Sequence, residues 1–260
     1  CYKWQKHCTA CPQIERYPSS WGKDGSEQNY KKKKKYFCSL KNMTIVPVSD
    51  WLSHEVSKSF LNRYPIKRIY NGIDIDKFKS ISNNYDNAAN KFVILGVANV
   101  WDSRKGLSDF ILLREKLSTD YTIILIGLSE KQIKELPDGI EGIERTNTFD
   151  ELVKYYSVAD VFVNFSVEET FGLTTCEALA CGTPAIVYNI TACPEIIDKD
   201  TGFIVEPGDF EGVIKAINEI RLNGKGTYTE ACRKRVELFF NKKDRYAEYL
   251  QLYKDIINSR

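Results

Sequence analysis

Two carboxylates, Glu169 and Glu177, bracket the stretch Glu169-Thr-Phe-Gly-Leu-Thr-Thr-Cys-Glu177, which continues Ala-Leu-Ala-Cys-Gly-Thr-Pro184. In front of it, Asp160-Val-Phe-Val-Asn-Phe165 is short, apolar and β-rich, the composition of a buried parallel strand. Behind it, Thr174 or Thr175 is placed to cap a helix running toward Cys181, which Gly182 and Pro184 end. The stretch therefore reads as strand, glycine turn, helix start. Free N–H groups and the positive end of a helix dipole meet at such a turn and suit a phosphate. Carboxylates repel phosphate but accept hydrogen bonds from hydroxyls. A sugar bonded to a phosphate satisfies both demands.

The elements that must position these groups alternate regularly. Strands are expected at Phe92–Ala98, Tyr121–Gly127, Ile140–Glu144, Asp160–Phe165, Ala185–Tyr188 and Phe203–Glu206. Between and after them, helices are expected following Gly106 and Ser129, from Asp150 through Tyr156, from Phe210 to Leu222, and from Thr229 to the end as one or two. Strands alternating with helices make a doubly wound parallel sheet, whose ligands sit beyond the carboxyl ends of the strands. Arg104-Lys105-Gly106 follows the first of these strands closely enough to reach the same crevice. The fingerprint Gly-x-Gly-x-x-Gly occurs nowhere, which sets a dinucleotide oxidoreductase aside.

Upstream, Thr44–Ser49 and Ile66–Tyr70 read as two more strands, separated by a helix that Asp50 caps and Pro65 ends. Asn71-Gly72 makes a turn calling for positive φ. Ser80 to Asn90, with its Asn and Ser, has the composition of an interdomain linker. Residues 1–40 are polar, aromatic and loop-like. Cys1, Cys8 and Cys11 supply three thiolates where a structural zinc needs four ligands. Either His7 or an upstream residue completes such a site, or the thiols are simply reduced or paired. Cys176, Cys181, Cys193 and Cys232 read as half-buried thiols of a reducing compartment. Lys31 to Lys35, followed by Tyr36-Phe37, is either a solvated helix face or an attraction to anionic lipid at about 1 kcal/mol per lysine. A hydrophobic content of 43% supports a true core, and a net charge of +2 makes no demand for nucleic acid. No apolar run approaches a membrane span, and the opening at Cys1 is expected to reflect a truncated chain.

Glu169-x7-Glu177, set inside Glu-x-Phe-Gly-x5-Ala-x2-Cys-Gly-x-Pro, resembles the signature of retaining, nucleotide-sugar-dependent glycosyltransferases of family 4. Asn71-Gly-Ile-Asp74, Arg104-Lys-Gly106, Ala159-Asp160 and Thr201-Gly202 fall in that family's order, so the resemblance runs from about Thr44 to the C-terminus. It implies an α/β fold of GT-B type: a C-terminal Rossmann-like doubly wound parallel sheet plus the remnant of a first Rossmann-like domain. Residues 1–80 would end the acceptor-side domain, 81–90 would link, and 91–260 would bind the donor, with the last helix packing back on the first domain. Lys105 would meet the donor diphosphate, with Arg104 in place of an arginine that the family carries where this chain has Ala98-Asn-Val-Trp101. The backbone of Phe171, Gly172, Leu173 and Thr174 would hold phosphate oxygens, Glu177 the ribose hydroxyls and Glu169 the donor sugar. Glu177 has a purely structural alternative, because Thr174-x-x-Glu177 also fits a capping box. Thr146-Asn-Thr148 would approach the base, and Pro194-Glu195 matches a loop near the donor.

The implied reaction moves a sugar from a nucleoside-diphosphate sugar to a glycan or lipid-linked acceptor with retention, in cell-surface polysaccharide synthesis. It needs no divalent metal and no cofactor. Neither His7 nor His54 suits the family's catalytic histidine, so that residue is expected outside this chain. The expected location is cytoplasmic, with peripheral contact at the inner membrane face as an option. The alternative is a non-catalytic nucleotide-sugar-binding fragment.

Overall fold

The computed structural model describes residues 1–15, 20, 22–81 and 91–258. The expected linker 81–90 therefore falls almost wholly outside the described residues. The chain divides into two compact units, Cys1–Ile69 and Tyr70–Arg260.

The first unit carries a 3-10 turn at Lys3–Gln5, helix α1 at Ser26–Cys38, helix α2 at Asp50–Ser57 and a 3-10 turn at Phe60–Arg63. The lysine run lies within α1. Five consecutive helical residues span more than a full turn, so these lysines surround the helix instead of sharing a face. Tyr30 anchors it: the ring packs edge-on against His7 and Phe60, and the hydroxyl donates to the Lys6 carbonyl. Ser49, one residue before the expected Asp50, caps α2 by accepting from the Leu52 amide. The two strands expected here shrink to a single parallel bridge between Ile45 and Ile66. Ile45 donates to Pro65 and accepts from Lys67, and Ile69 donates to Pro47. Pro47 has no N–H to return, so the ladder stops there.

In the second unit, six parallel strands lie in the order β3-β2-β1-β4-β5-β6. They are β1 Phe92–Val97, β2 Tyr121–Ile126, β3 Ile140–Ile143, β4 Val161–Asn164, β5 Ala185–Tyr188 and β6 Gly202–Val205. The chain winds outward from β1 to β3, returns to pair β4 against β1, and winds outward again. The order reverses between β1 and β4, where such sheets open a crevice. The central strands are buried along nearly their whole length, which is why they read as largely apolar runs.

Helices α3 Leu107–Lys116, α4 Glu130–Lys134, α5 Phe149–Val158, α6 Leu173–Ala180, α7 Cys193–Ile196, α8 Phe210–Asn223, α9 Gly226–Phe239 and α10 Lys242–Asn258 complete the unit. Arg233 of α9 donates to the carbonyls of Ile75, Phe78 and Ala180, tying the segment after Tyr70 to the end of α6. Gly72 does not have positive φ. Its glycine is needed because a Cβ there would stand 2.5 Å from the Lys242 Cα at the start of α10. No described helix is long and apolar enough to cross a membrane.

Candidate functional site

α6 begins two residues earlier than capping by Thr174 would place it, and three earlier than capping by Thr175. Gly172 is the N-cap at φ +104, and no side chain caps the helix. Thr174 and Glu177 consequently lie inside α6, so the capping-box reading of Glu177 fails: that device needs the threonine at the N-cap itself. The start of α6 instead leaves its first amides without a side-chain acceptor, the condition under which a helix terminus receives an anion. The turn is held from below. Asn164, at the end of β4, donates to the Thr175 hydroxyl and accepts from the Ser166 amide.

Glu177 faces a cleft of about 620 Å³. Its walls come from the carboxyl ends of β1 (Val97 to Trp101), β2 (Ile126 to Ser129) and β3 (Glu144 to Thr146), together with Thr174. The Tyr156 hydroxyl, on α5, donates to Glu177 Oε2 at 2.7 Å. Burial pushes the Glu177 carboxyl up to about 7, and the Tyr156 hydrogen bond partly offsets that push. Burial and the neighbouring carboxylate drive the Tyr156 phenol well above its ordinary range, so it remains a donor.

Lys105 and Glu169 meet each other: Lys105 Nζ pairs with Glu169 Oε1. Both are mostly shielded, with 28% and 16% of their side chains exposed. Three contacts bring them together. The Val167 amide donates to the Arg104 carbonyl, joining the loop after β1 to the loop after β4. Gly106, at φ +74, lets the start of α3 press onto Phe165, where a Cβ would stand 2.5 Å from the Phe165 Cβ. Thr191 adopts φ +52, which is rare for a non-glycine residue, and its hydroxyl accepts from the Glu169 amide at 3.1 Å.

The remaining expected residues fall variously. Arg104 turns back onto Asp102, with Nε and Nη2 on Oδ2 and its own amide on Oδ1, and this holds the Asp102 carboxyl below its usual range. The Phe171 ring is buried against Tyr70 and Phe240, so only its backbone is available to a ligand. Leu173 is 44% exposed. Asn147 and Thr148 spend polar groups on the start of α5, where Glu151 accepts from the Asn147 amide and Thr148 accepts from the Glu151 amide. Of that tripeptide, Thr146 lines the cleft. Glu195 lies in α7 and accepts from the Tyr70 hydroxyl. Among the described residues, no three His, Cys, Asp or Glu side chains converge as metal ligands would. Cys176, Cys181, Cys193 and Cys232 are buried free thiols.

Tyr156 and Thr191 were not among the expected site residues. Each belongs to a helix or loop remote in sequence from what it touches, and nothing in its own neighbourhood marks it.

Residues 91–223 match the model of the family described as "Glycosyl transferases group 1". A Klebsiella pneumoniae protein described as an uncharacterized 41.2 kDa protein in the cps region is 31% identical over 209 residues, 75% of this chain and 56% of its own length. The Staphylococcus aureus capsular polysaccharide biosynthesis glycosyltransferase CapM is 25% identical over 231 residues, 80% of this chain and 60% of its own length. The chain thus spans less than two thirds of either relative. The crystal structure of Anabaena Alr3699/HepE in complex with UDP and glucose superposes with a TM-score of 0.70 at 17% identity, over 86% of this chain and 67% of that one. The fold is the GT-B type that the sequence implied.

Proposed function

The chain belongs to the group 1 glycosyl transferases, and from that premise we propose that it holds the donor site of a family 4 enzyme that moves a sugar from a nucleoside-diphosphate sugar with retention. One observation carries the proposal: the uncapped start of α6 and the half-neutral carboxyl of Glu177 open together at the carboxyl ends of β1, β2 and β3. The diphosphate rests on the amides from Phe171 to Thr174, and the dipole of α6 stabilises the charge that builds on the leaving phosphate. Lys105 adds a positive charge there once a phosphate competes with Glu169 for it. Glu169, relieved of its partner, accepts from hydroxyls of the transferred sugar. Glu177 accepts from the ribose diol, and the base extends along the cleft toward Thr146.

Residues 1–80 then end the acceptor-side domain, 81–90 link and 91–260 bind the donor. The relative named for capsular polysaccharide biosynthesis supports a role in cell-surface polysaccharide assembly; we propose a glycan or lipid-linked acceptor, worked on from the cytoplasmic side. The lysines and exposed Tyr36 and Phe37 of α1 suit contact with an anionic membrane face. The length comparison favours a second reading for this chain taken alone, in which it binds donor without turning it over.

Thermal unfolding with UDP, GDP, ADP and their sugars tests the donor site. One diphosphate class should stabilise the wild type by about 2.7 kcal/mol at a hundred times its Kd, and Glu177→Ala should lose most of that gain. No shift with any of them at millimolar concentration would remove the donor-site reading.

A further inference from the structure

Two charged groups of the site neutralise each other. Among the described residues, the Lys105 and Glu169 side chains are each other's only hydrogen-bond and ion-pair partner, and both are mostly shielded from water. The pair bridges the loops that follow β1 and β4, the two strands between which the sheet order reverses. Glu169 is also fixed along its backbone: its amide donates to the Thr191 hydroxyl, and its carbonyl accepts from the Ala192 amide. Lys105 is fixed in the same way, its amide donating to the Asp102 carbonyl at 3.0 Å. With both backbones held, the contact is a built part of the fold.

A shielded pair responds differently to donor and to product. A nucleoside diphosphate reaching Lys105 brings a second anion to a cation that already has one, and draws the ammonium off Glu169. The carboxylate is then left largely out of water with no partner, the costly half of breaking such a pair. An intact nucleotide sugar meets the same cost and offsets it, because hydroxyls of the sugar donate to the freed carboxylate in charge-assisted hydrogen bonds. The bare diphosphate has no hydroxyl to offer at that end.

We propose that the Lys105–Glu169 pair is a latch that opposes the bare diphosphate and yields to the intact donor. Departure of the sugar strips Glu169 of its hydroxyl donors, so the carboxylate recaptures Lys105 and the diphosphate is loosened for release. The pair thereby biases the site toward keeping donor and shedding product. This rests on the donor-site reading above, and it gives Glu169 an effect on a ligand that it does not touch.

The test is calorimetric titration of the 260-residue chain with UDP, GDP, ADP, inorganic pyrophosphate, UDP-glucose, GDP-mannose and ADP-glucose. It is repeated for Glu169→Gln, Lys105→Met and the double variant, with a thermal melt to show that each is folded. Glu169→Ala carries the same expectation and serves if Glu169→Gln does not fold. Glu169→Gln should bind pyrophosphate and the preferred diphosphate about tenfold tighter, because no pair has to be broken. The matching nucleotide sugar should gain nothing, having lost a charged acceptor together with the latch. Lys105→Met already lacks the pair, so adding Glu169→Gln to it should tighten the diphosphate by no more than about twofold. A diphosphate affinity unchanged or weakened by Glu169→Gln would overturn the latch and spare the donor site. Equal tightening with and without Lys105 would reduce Glu169 to simple repulsion and overturn the latch as well, as would equal tightening of diphosphate and nucleotide sugar. Binding of none of these ligands by the wild type would overturn both the latch and the donor site.

Discussion

At the scale of single residues, Glu177 is the most informative. Its carboxyl titrates near 7 because burial penalises the charge more than the Tyr156 hydroxyl relieves it. A ribose diol donates to the ionised form, so nucleotide binding should weaken as pH falls below about 7. The same shift acts oppositely on the empty protein. Its folded pKa lies above the ordinary 4.5, so the folded state keeps a proton that the unfolded chain has released. That contribution is complete below pH 4.5 and is lost as pH rises through 7, on the order of 3 kcal/mol. Tyr156→Phe removes the donor that favours ionisation and should move the binding midpoint to higher pH, while costing about 1–2 kcal/mol of stability. Glu177→Gln should flatten the profile. Titrations from pH 5.5 to 8.5, with a 2′,3′-dideoxynucleoside diphosphate as control for the phosphate's own ionisation, check this. Identical profiles for wild type and Glu177→Gln would exclude Glu177 as the ribose ligand. The sequence singled out Glu169, Glu177 and Lys105 as candidates because their spacing about Gly172 and Gly106 is local. Tyr156 was invisible because a helical tyrosine on a buried face reads as core, and its hydroxyl finds Glu177 only once α5 and α6 pack.

At the scale of elements, the central parallel strands were legible because burial on both faces leaves mostly apolar residues in them. The pair near Ile45 and Ile66 misled for the complementary reason: its composition is that of strands, but one proline without an N–H ends the ladder. α6 was displaced by two or three residues in expectation because a glycine N-cap carries no side chain to announce it. That glycine is there for its backbone. Space around it is ample, the nearest atom to an added Cβ being at 3.6 Å, but φ +104 strains any L-residue. Gly172→Ala should cost roughly 1–2 kcal/mol and tilt the first amides of α6 off the phosphate. Gly208 is the matched control, with φ +82 and nothing within 4 Å. Urea unfolding should show similar losses for Gly172→Ala and Gly208→Ala, with nucleotide affinity falling in the first alone. Equal affinities in the two variants would mean that the start of α6 does not hold the diphosphate.

At the scale of the whole molecule, α10 presents an apolar stripe that the second unit does not use. Tyr246, Leu250, Tyr253 and Ile257 recur at steps of four, three and four, the spacing of a single helix face, yet they are 57%, 61%, 55% and 68% exposed. The opposite side of the helix supplies its hold on the unit: Leu252 is buried, and the Lys242 amide donates to the Ile73 carbonyl at its start. An uncovered row of four large apolar side chains draws a partner, and for the 260-residue chain in isolation the available partner is a second copy. The chain should therefore associate at micromolar concentrations and bind an apolar dye such as anilinonaphthalene sulfonate. Leu250→Lys with Ile257→Lys should abolish both while shifting stability by no more than about 0.5 kcal/mol per site, since neither residue contributes to the core. Sedimentation velocity over a concentration series reads the association, and a thermal melt reads the stability. A wild-type chain that stays monomeric and dark to the dye would show the stripe to be solvated as it stands. A large loss of stability in the double variant would instead mean that the face packs within its own unit.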